Sequence, residues 1–329
     1  MQKTLSVINL LAIRHNALHM KSLIGGRKFY AVVKADAYGH GAIAVARELN
    51  DICDGFCVAI VDEGVELRAA GISSPVLVLT PPLDRHDVER MAAYDLTATV
   101  ADERSALLCK GLNCHIKINT GMNRYGCVPE ELPRILKELD CDRVQGVYTH
   151  MYAPADEERS SEQRELFEKC VSLVKKFSPD AVAHMAATAG VFKGEKYLFD
   201  GVRCGISLYG YCPAGFSDTN LRPALKVYAP RVQTFSPPVG GGAGYAAAKK
   251  KYASLSSYRA GYGDGFWRTV PLGEGNLCMD AFVSCSNEDK ILAFGDADDY
   301  AARAGTISYE ALCAVTKRSV RVYERRPQT

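Results

Sequence analysis

Phe29-Tyr30-Ala31-Val32-Val33-Lys34-Ala35-Asp36-Ala37-Tyr38-Gly39-His40-Gly41 is the stretch from which the rest of the chain can be read. Its apolar, β-branched opening predicts a strand over 28–34 that is buried on both faces. The glycines that follow permit a tight turn, and a helical pattern takes over at 41–50. A lysine ending such a strand would point from the rim where strand C-termini meet their loops. Burial at that rim disfavours an ammonium ion and leaves an amine able to form a Schiff base. By residue type alone, a lysine beyond a strand is more often an exposed surface group.

The alternation continues outward from this point. Apolar runs near 55–61, 75–80, 96–100, 114–119, 144–150, 181–187 and 201–210 read as further strands. Segments with helical spacing at 62–71, 86–94, 102–111, 129–139 and 160–177 separate them, and another helix, about 9–25, precedes the first strand. Strands too apolar for an exposed face, linked by helices, point to parallel pairing. A count of eight favours an α/β fold with a closed (β/α)8 TIM-type barrel; an open doubly wound sheet is the alternative. After about residue 222 the texture changes. Pro237-Pro238-Val239-Gly240-Gly241-Gly242 is turn-rich, and runs at 227–235, 252–260 and 278–285 read as strands before helical spacing returns at 297–303. The expected organisation is a barrel over 1–222 and a smaller, mainly-β domain over 223–329.

A formal net charge of +2 on 329 residues gives no electrostatic reason to expect nucleic acid or an anionic membrane as partner. The run Lys249-Lys250-Lys251 reads as a solvated turn. Met1-Gln2-Lys3-Thr4 leads into a helical pattern without a signal-peptide layout, and no apolar stretch approaches the ~20 residues that span a bilayer. The 12 cysteines are irregularly spaced, and Cys109, Cys114 and Cys127 lack zinc-ligand spacing, so no metal is expected. Cysteines in apolar runs, such as Cys57 in Phe56-Cys57-Val58-Ala59, read as reduced and buried, which fits a cytoplasmic protein.

Val33-Lys34-Ala35-Asp36-Ala37-Tyr38-Gly39-His40-Gly41 closely resembles the pyridoxal-phosphate (PLP) lysine motif of alanine racemases, the fold-type III PLP-dependent amino-acid racemases. The resemblance continues at Lys117-Ile118-Asn119-Thr120-Gly121-Met122-Asn123-Arg124-Tyr125-Gly126, at Thr149-His150 with Ala155-Asp156, and at Val202-Arg203-Cys204-Gly205-Ile206-Ser207-Leu208-Tyr209-Gly210. Gly261-Tyr262-Gly263-Asp264-Gly265, Cys278-Met279-Asp280 and Gly305-Thr306-Ile307-Ser308-Tyr309-Glu310 extend it through the β domain in family order.

The resemblance implies a PLP-dependent interconversion of L- and D-alanine in a homodimer whose subunits share each active site, supplying peptidoglycan precursors. Lys34 would hold the cofactor and act as base on one face of the substrate's Cα, and Tyr262 from the neighbouring subunit would serve the other face. A tyrosine, with an ordinary pKa of about 10, works as a base near neutrality only beside positive charge or hydrogen-bond donors. The resemblance assigns that support to His150 and Arg203. Arg203 would also face the pyridine nitrogen, donating a hydrogen bond without protonating the ring.

Tyr38, Thr188, Gly205, Ile206 and Tyr309 would surround the phosphate, and Arg124 and Met279 the substrate carboxylate. Lys117 matches a lysine that many members carry as a carbamate beside Arg124, and Asp156, Ile307 and Tyr309 match positions around the substrate entrance. Three features depart from the family pattern: Ala187 where Asn is common, Thr188 for a serine, and Asn119 where an acid is common. The β domain is also shortened between Arg268 and Cys278 and compressed over 295–305. Retention of Tyr309 favours alanine over serine, although a pocket separates a methyl from a hydroxymethyl by only ~1–3 kcal/mol. The alternatives are a serine or broad-specificity racemase of the same family, and a non-catalytic PLP-binding protein. The second of these would lack the β domain and Tyr262.

Overall fold

The computed structural model describes residues 3–247 and 251–325, so Met1, Gln2, Lys249 and Lys250 of the readings above lie outside the described residues. By compactness the chain divides into two units. One comprises Arg14–Ala37 and Ala42–Leu221; the other comprises the N-terminal stretch ending at Ile13, the short piece Tyr38–Gly41, and the chain from Arg222 onward.

The first unit is a barrel. Its eight parallel strands are β2 (Lys28–Val32), β3 (Gly55–Val58), β4 (Val76–Val78), β5 (Ala98–Val100), β6 (Cys114–Lys117), β7 (Val144–Tyr148), β8 (Val182–Ala187) and β9 (Gly201–Cys204). They run in the spatial order β4-β3-β2-β9-β8-β7-β6-β5. The ring closes between its two ends, where the Val78 N–H donates to Thr97 O (2.9 Å) and the Thr97 N–H to Val76 O (2.9 Å). That closure excludes the open sheet. All eight expected strands form, each shorter than its apolar run, which extends past the paired residues at one end or both. The run at 201–210 ends as strand at Cys204: Gly205 turns the chain (φ −120°, ψ −88°) and Ile206–Tyr209 forms a 3-10 turn.

The second unit is mainly β, with β1 (Leu5–Asn9) at its heart. β1 pairs antiparallel with β10 (Leu225–Phe235) and parallel with the last strand, β16 (Val320–Glu324). β11 (Gly242–Ala243) and β12 (Ala246–Ala247) form a short hairpin. β13 (Leu255–Tyr258), β14 (Phe282–Ser284) and β15 (Lys290–Phe294) complete the sheet, with helices at Ala297–Ala304 and Ser308–Ala314.

This changes the expected organisation at the N-terminus. The segment before the first helix (observed at Leu10–Ser22) is not helical but a strand, and it belongs with the C-terminal sheet, not with the barrel over 1–222. The reason lies in Leu5-Ser6-Val7-Ile8-Asn9: Ser6 and Ile8 are fully buried between the neighbouring strands, an alternation that needs those partners to become a strand. Among the described residues no helix is long and apolar enough to cross a membrane.

Candidate active site

The inward positions of the barrel strands ordinarily carry branched aliphatic side chains. Here Tyr30, His115, Lys117, Tyr148, His184 and Arg203 are 8% exposed or less and meet one another. The Tyr148 ring stacks on His184 (centroids 5.0 Å apart, 4° between planes), and Tyr30 packs against the same ring, tilted, at 5.4 Å. Tyr148 is held by its hydroxyl, which lies 2.8 Å from Thr99 Oγ1. Lys117 Nζ and the Arg203 guanidinium both lie over the Tyr148 ring, at 4.8 and 5.1 Å.

Arg203, on β9, is the centre of the group. Its Nη1 donates to His184 Nδ1 (2.5 Å) and His184 O (2.9 Å); its Nη2 donates to Thr149 O (2.7 Å) and Met185 O (3.2 Å) and lies 3.5 Å from His150 Nδ1. The Nε–H makes no hydrogen bond to a described residue. A guanidinium anchored through both Nη atoms with one proton left over suits a neutral acceptor such as an aromatic ring nitrogen. Among the described residues no carboxylate pairs with it, so the cluster carries positive charge. Burial, aided by Arg203, pushes His115 down to about 3 and holds His150 and His184 well below the ordinary imidazole range. Burial first, then Arg203 and Arg124, holds Lys117 well below the ordinary amine range. Arg124 itself is exposed on the loop after β6, its guanidinium 5.9 Å from the Tyr125 ring.

At the end of β8, Thr188 Oγ1 lies 3.0 Å from Ser207 Oγ and accepts the Gly205 N–H at 3.3 Å. Two hydroxyls and the turn opening at Ile206 thus form a buried, neutral donor set that fits a phosphate without clustered cations. Lys34, half-buried, ends the β2 segment, which is prolonged by the Val33 N–H donating to Cys57 O (2.9 Å). After it the backbone turns left-handed over four residues that are not glycine: Ala35 (φ 51°), Asp36 (52°), Ala37 (53°) and Tyr38 (53°). Each costs roughly 1–2 kcal/mol. Hydrogen bonds hold the turn: the Ala35 N–H donates to Glu63 Oε1 (2.6 Å) and the Ala42 N–H to Asp36 Oδ1 (2.8 Å). Strain of this kind collects where a side chain must be aimed.

Asp156, expected at the substrate entrance, is exposed. It caps the helix Glu157–Phe177 by accepting the Arg159 N–H (3.1 Å) and pairs with the Arg159 side chain (3.1 Å).

The second unit holds the remaining residues. Tyr38 and Tyr309 approach with ring centroids 6.0 Å apart. Gly39 (φ +82°) has no room for a side chain, since a Cβ would lie 2.5 Å from Thr316 Oγ1. Tyr262 opens a 3-10 turn, Tyr262–Asp264, and is 39% exposed. Its N–H donates to Cys278 O (3.1 Å) and that of Gly263 to Met279 O (2.8 Å), which sets Tyr262 beside the exposed Met279. Arg318 braces the turn from beneath, donating to Asp264 Oδ1 (2.9 Å) and Asp280 Oδ1 (2.7 Å). A cavity of 620 Å³ lies beside Tyr262, bordered by Trp267, Arg268 and Glu310. Ile307 is exposed just ahead of the Tyr309 helix.

His115, Tyr148, His184 and Ser207 were not singled out from the sequence. The available signal was the period of two: His115 and Lys117 share a strand face, as do Tyr30, Val32 and Lys34, so each polar residue falls on the inward side.

The model for "Alanine racemase, N-terminal domain" matches residues 8–213. An alanine racemase of Carboxydothermus hydrogenoformans is 34% identical, with 96% of this chain and 98% of that protein covered. One of Ligilactobacillus salivarius is 32% identical, with 98% of each covered. Among solved structures, the alanine racemase of Clostridium difficile superposes with a TM-score of 0.87 at 28% identity (99% of this chain, 96% of that one). The alanine racemase of Bacillus anthracis with bound L-Ala-P gives 0.87 at 27% over the same shares. Matched over nearly its whole length in sequence and fold, with a buried arginine and a buried neutral donor set that fit the cofactor's ring and phosphate, the chain belongs to the alanine racemase family of PLP-dependent isomerases.

Proposed function

We propose that this chain interconverts L- and D-alanine with one acid/base group on each face of the substrate: Lys34 on one side and Tyr262 of the partner subunit on the other. The observation that supports this reading best is Arg203, anchored through both Nη atoms with its Nε–H left for a ligand. PLP would be held by Lys34, by Arg203 at the ring nitrogen, and by Tyr38, Thr188, Tyr309, Gly205 and Ile206 around the phosphate. What the bound cofactor supplies is an electron sink for the substrate's Cα–H bond.

The residues of the chain do the rest. The Lys34 amine takes the Cα proton from one face while the tyrosine hydroxyl returns one to the other, and the roles exchange in the reverse direction. Arg203 holds its own protons at any working pH, so it would donate to the bound ring without protonating it, which would restrain transamination. Arg124 and the Met279 backbone orient the substrate carboxylate. The Lys117 amine, whose ammonium form burial disfavours, is suited to add CO₂, releasing a proton and becoming a carbamate; the anion would then be stabilised by Arg203 and Arg124. Asp156, Ile307 and Tyr309 stand at the substrate entrance. The enzyme would work as a cytoplasmic homodimer supplying D-alanine to peptidoglycan precursors.

The test is a racemisation assay on L-alanine and L-serine with added PLP, using wild type, Lys34→Ala and Tyr262→Phe. Alanine turnover should exceed serine turnover, and each variant should lose at least a hundredfold in kcat, a loss on the order of that expected for removing an acid/base group. Full activity in either variant would remove that residue from the mechanism.

A further inference from the structure

We infer that His115 is a positioning residue for Arg203: it accepts the Nε2–H of His184 and thereby fixes the tautomer and ring plane on which the guanidinium rests. The direction of each bond follows from the arginine, which has protons to give and no lone pair to offer. Arg203 Nη1 lies 2.5 Å from His184 Nδ1, so that nitrogen accepts and the His184 proton sits on Nε2. His184 Nε2 lies 2.7 Å from His115 Nδ1, so His115 accepts in turn and carries its own proton on Nε2. Both rings must therefore be neutral, in keeping with the downward push on each imidazole. The chain of bonds runs one way. Reversing it would require Arg203 to give up a proton, so it orients groups and does not conduct protons.

Two further features are built around this ring. Gly146 on β7 stands directly opposite His115 on β6, with no positive φ to explain a glycine in mid-strand. A Cβ there would lie 2.6 Å from His115 Nδ1 and 2.9 Å from its Cγ, so the missing side chain is the space the imidazole occupies. Beyond His115, a cavity of 200 Å³ opens among Lys28, Asp54, Thr97 and Gln145, at the end of the barrel where the strands begin. Lys28, Asp54, Thr97 and Gln145 place polar groups in walls that are otherwise largely apolar, and the cavity has room for a few waters that the outward Nε2–H can reach. Neither the cavity nor His115 touches the groups assigned to substrate. Their effect on Arg203 passes through His184, against which both Tyr148 and Tyr30 pack.

The inference rests on reading Arg203 as the group that faces the cofactor ring, and the experiment separates the two. Holoenzyme labelled with 15N-histidine would be examined by long-range 1H–15N correlation of the imidazole nitrogens. Two rings should show a protonated Nε2 and a bare Nδ1 across pH 6–8, and His115→Asn should remove one of them and leave the other in the same state. His115→Asn keeps an acceptor near the Nδ1 position and should retain kcat within about threefold. His115→Phe keeps the ring but not the acceptor, and Gly146→Ala displaces the ring; each should lower kcat about tenfold or more while KM for alanine stays within about twofold.

A His184 ring bearing its proton on Nδ1 would overturn the inference, as would a His115→Phe enzyme with unchanged kcat and an unchanged His184 signal. Should His115→Phe fail to fold, the wild-type spectrum and the His115→Asn and Gly146→Ala variants still decide. If the tautomers are as stated but Arg203→Lys racemises alanine normally, the relay stands and the role given to Arg203 falls.

Discussion

Arg203, Lys117, His115 and His184 are buried side by side, and this burial, reinforced by the arginine's charge, has a measurable consequence. His115 is held down at about 3 and His184 well below its ordinary value, whereas in the unfolded chain both titrate near 6.5. Between those values the unfolded state binds more protons than the folded one, so stability rises with pH. It is fully present above about 6.5 and is lost as pH falls, by up to ~1.4 kcal/mol per pH unit for each histidine. The urea midpoint of the holoenzyme should therefore drop between pH 7 and pH 5, and His115→Asn should drop less steeply. An equal slope in the two proteins would show that His115 takes up its proton in the folded state. At this scale the sequence made Lys34, Arg203 and Tyr262 recognisable through their motifs. It left His115 and His184 unmarked, because a histidine in an apolar strand has no distinctive neighbours until the barrel closes around it.

Among the elements, strands and helices of the barrel were legible because their hydrophobic periods are long and regular. Two turns were not. The left-handed stretch Ala35–Tyr38 contains no glycine to signal a positive φ; hydrogen bonds donated by the Ala35 and Ala42 N–H groups to Glu63 and Asp36 hold it there. A β-branched residue tolerates that region worst. Ala35→Val should lower unfolding free energy by at least ~1 kcal/mol and weaken cofactor retention, while Ala35→Gly should leave stability equal or slightly higher. Denaturant midpoints and the PLP retained after gel filtration would measure both. A stable Ala35→Val protein with full PLP would mean that the turn relaxes without consequence for Lys34. The turn carrying Tyr262 depends on close backbone approach: a Cβ on Gly261 would lie 2.1 Å from Met279 O. Here the glycine was visible in the sequence, and its reason was not.

In the whole molecule, the division of the proposed acid/base pair between subunits makes a prediction that no single-chain mechanism shares. Mixing Lys34→Ala and Tyr262→Phe subunits, each inactive alone, should give mixed dimers with one site that has both wild-type groups. Random reassembly would then restore about one quarter of wild-type activity, since half the dimers are mixed and each has one competent site of two. If mixing restores nothing, lysine and tyrosine act within one chain or the shortened β domain does not deliver the tyrosine. The amino-acid order alone determined the alternation of strand and helix, the change of texture near 222 and the series of motifs that identify the family, because these are local patterns of polarity and residue type. Only the tertiary structure decided that Leu5–Asn9 joins strands more than 200 residues away, that Gly146 makes room for His115, and that Arg203 is anchored through both Nη atoms. Each of these depends on which groups lie opposite one another after folding, and a side chain's partners across a sheet or a barrel are not encoded by its neighbours along the chain.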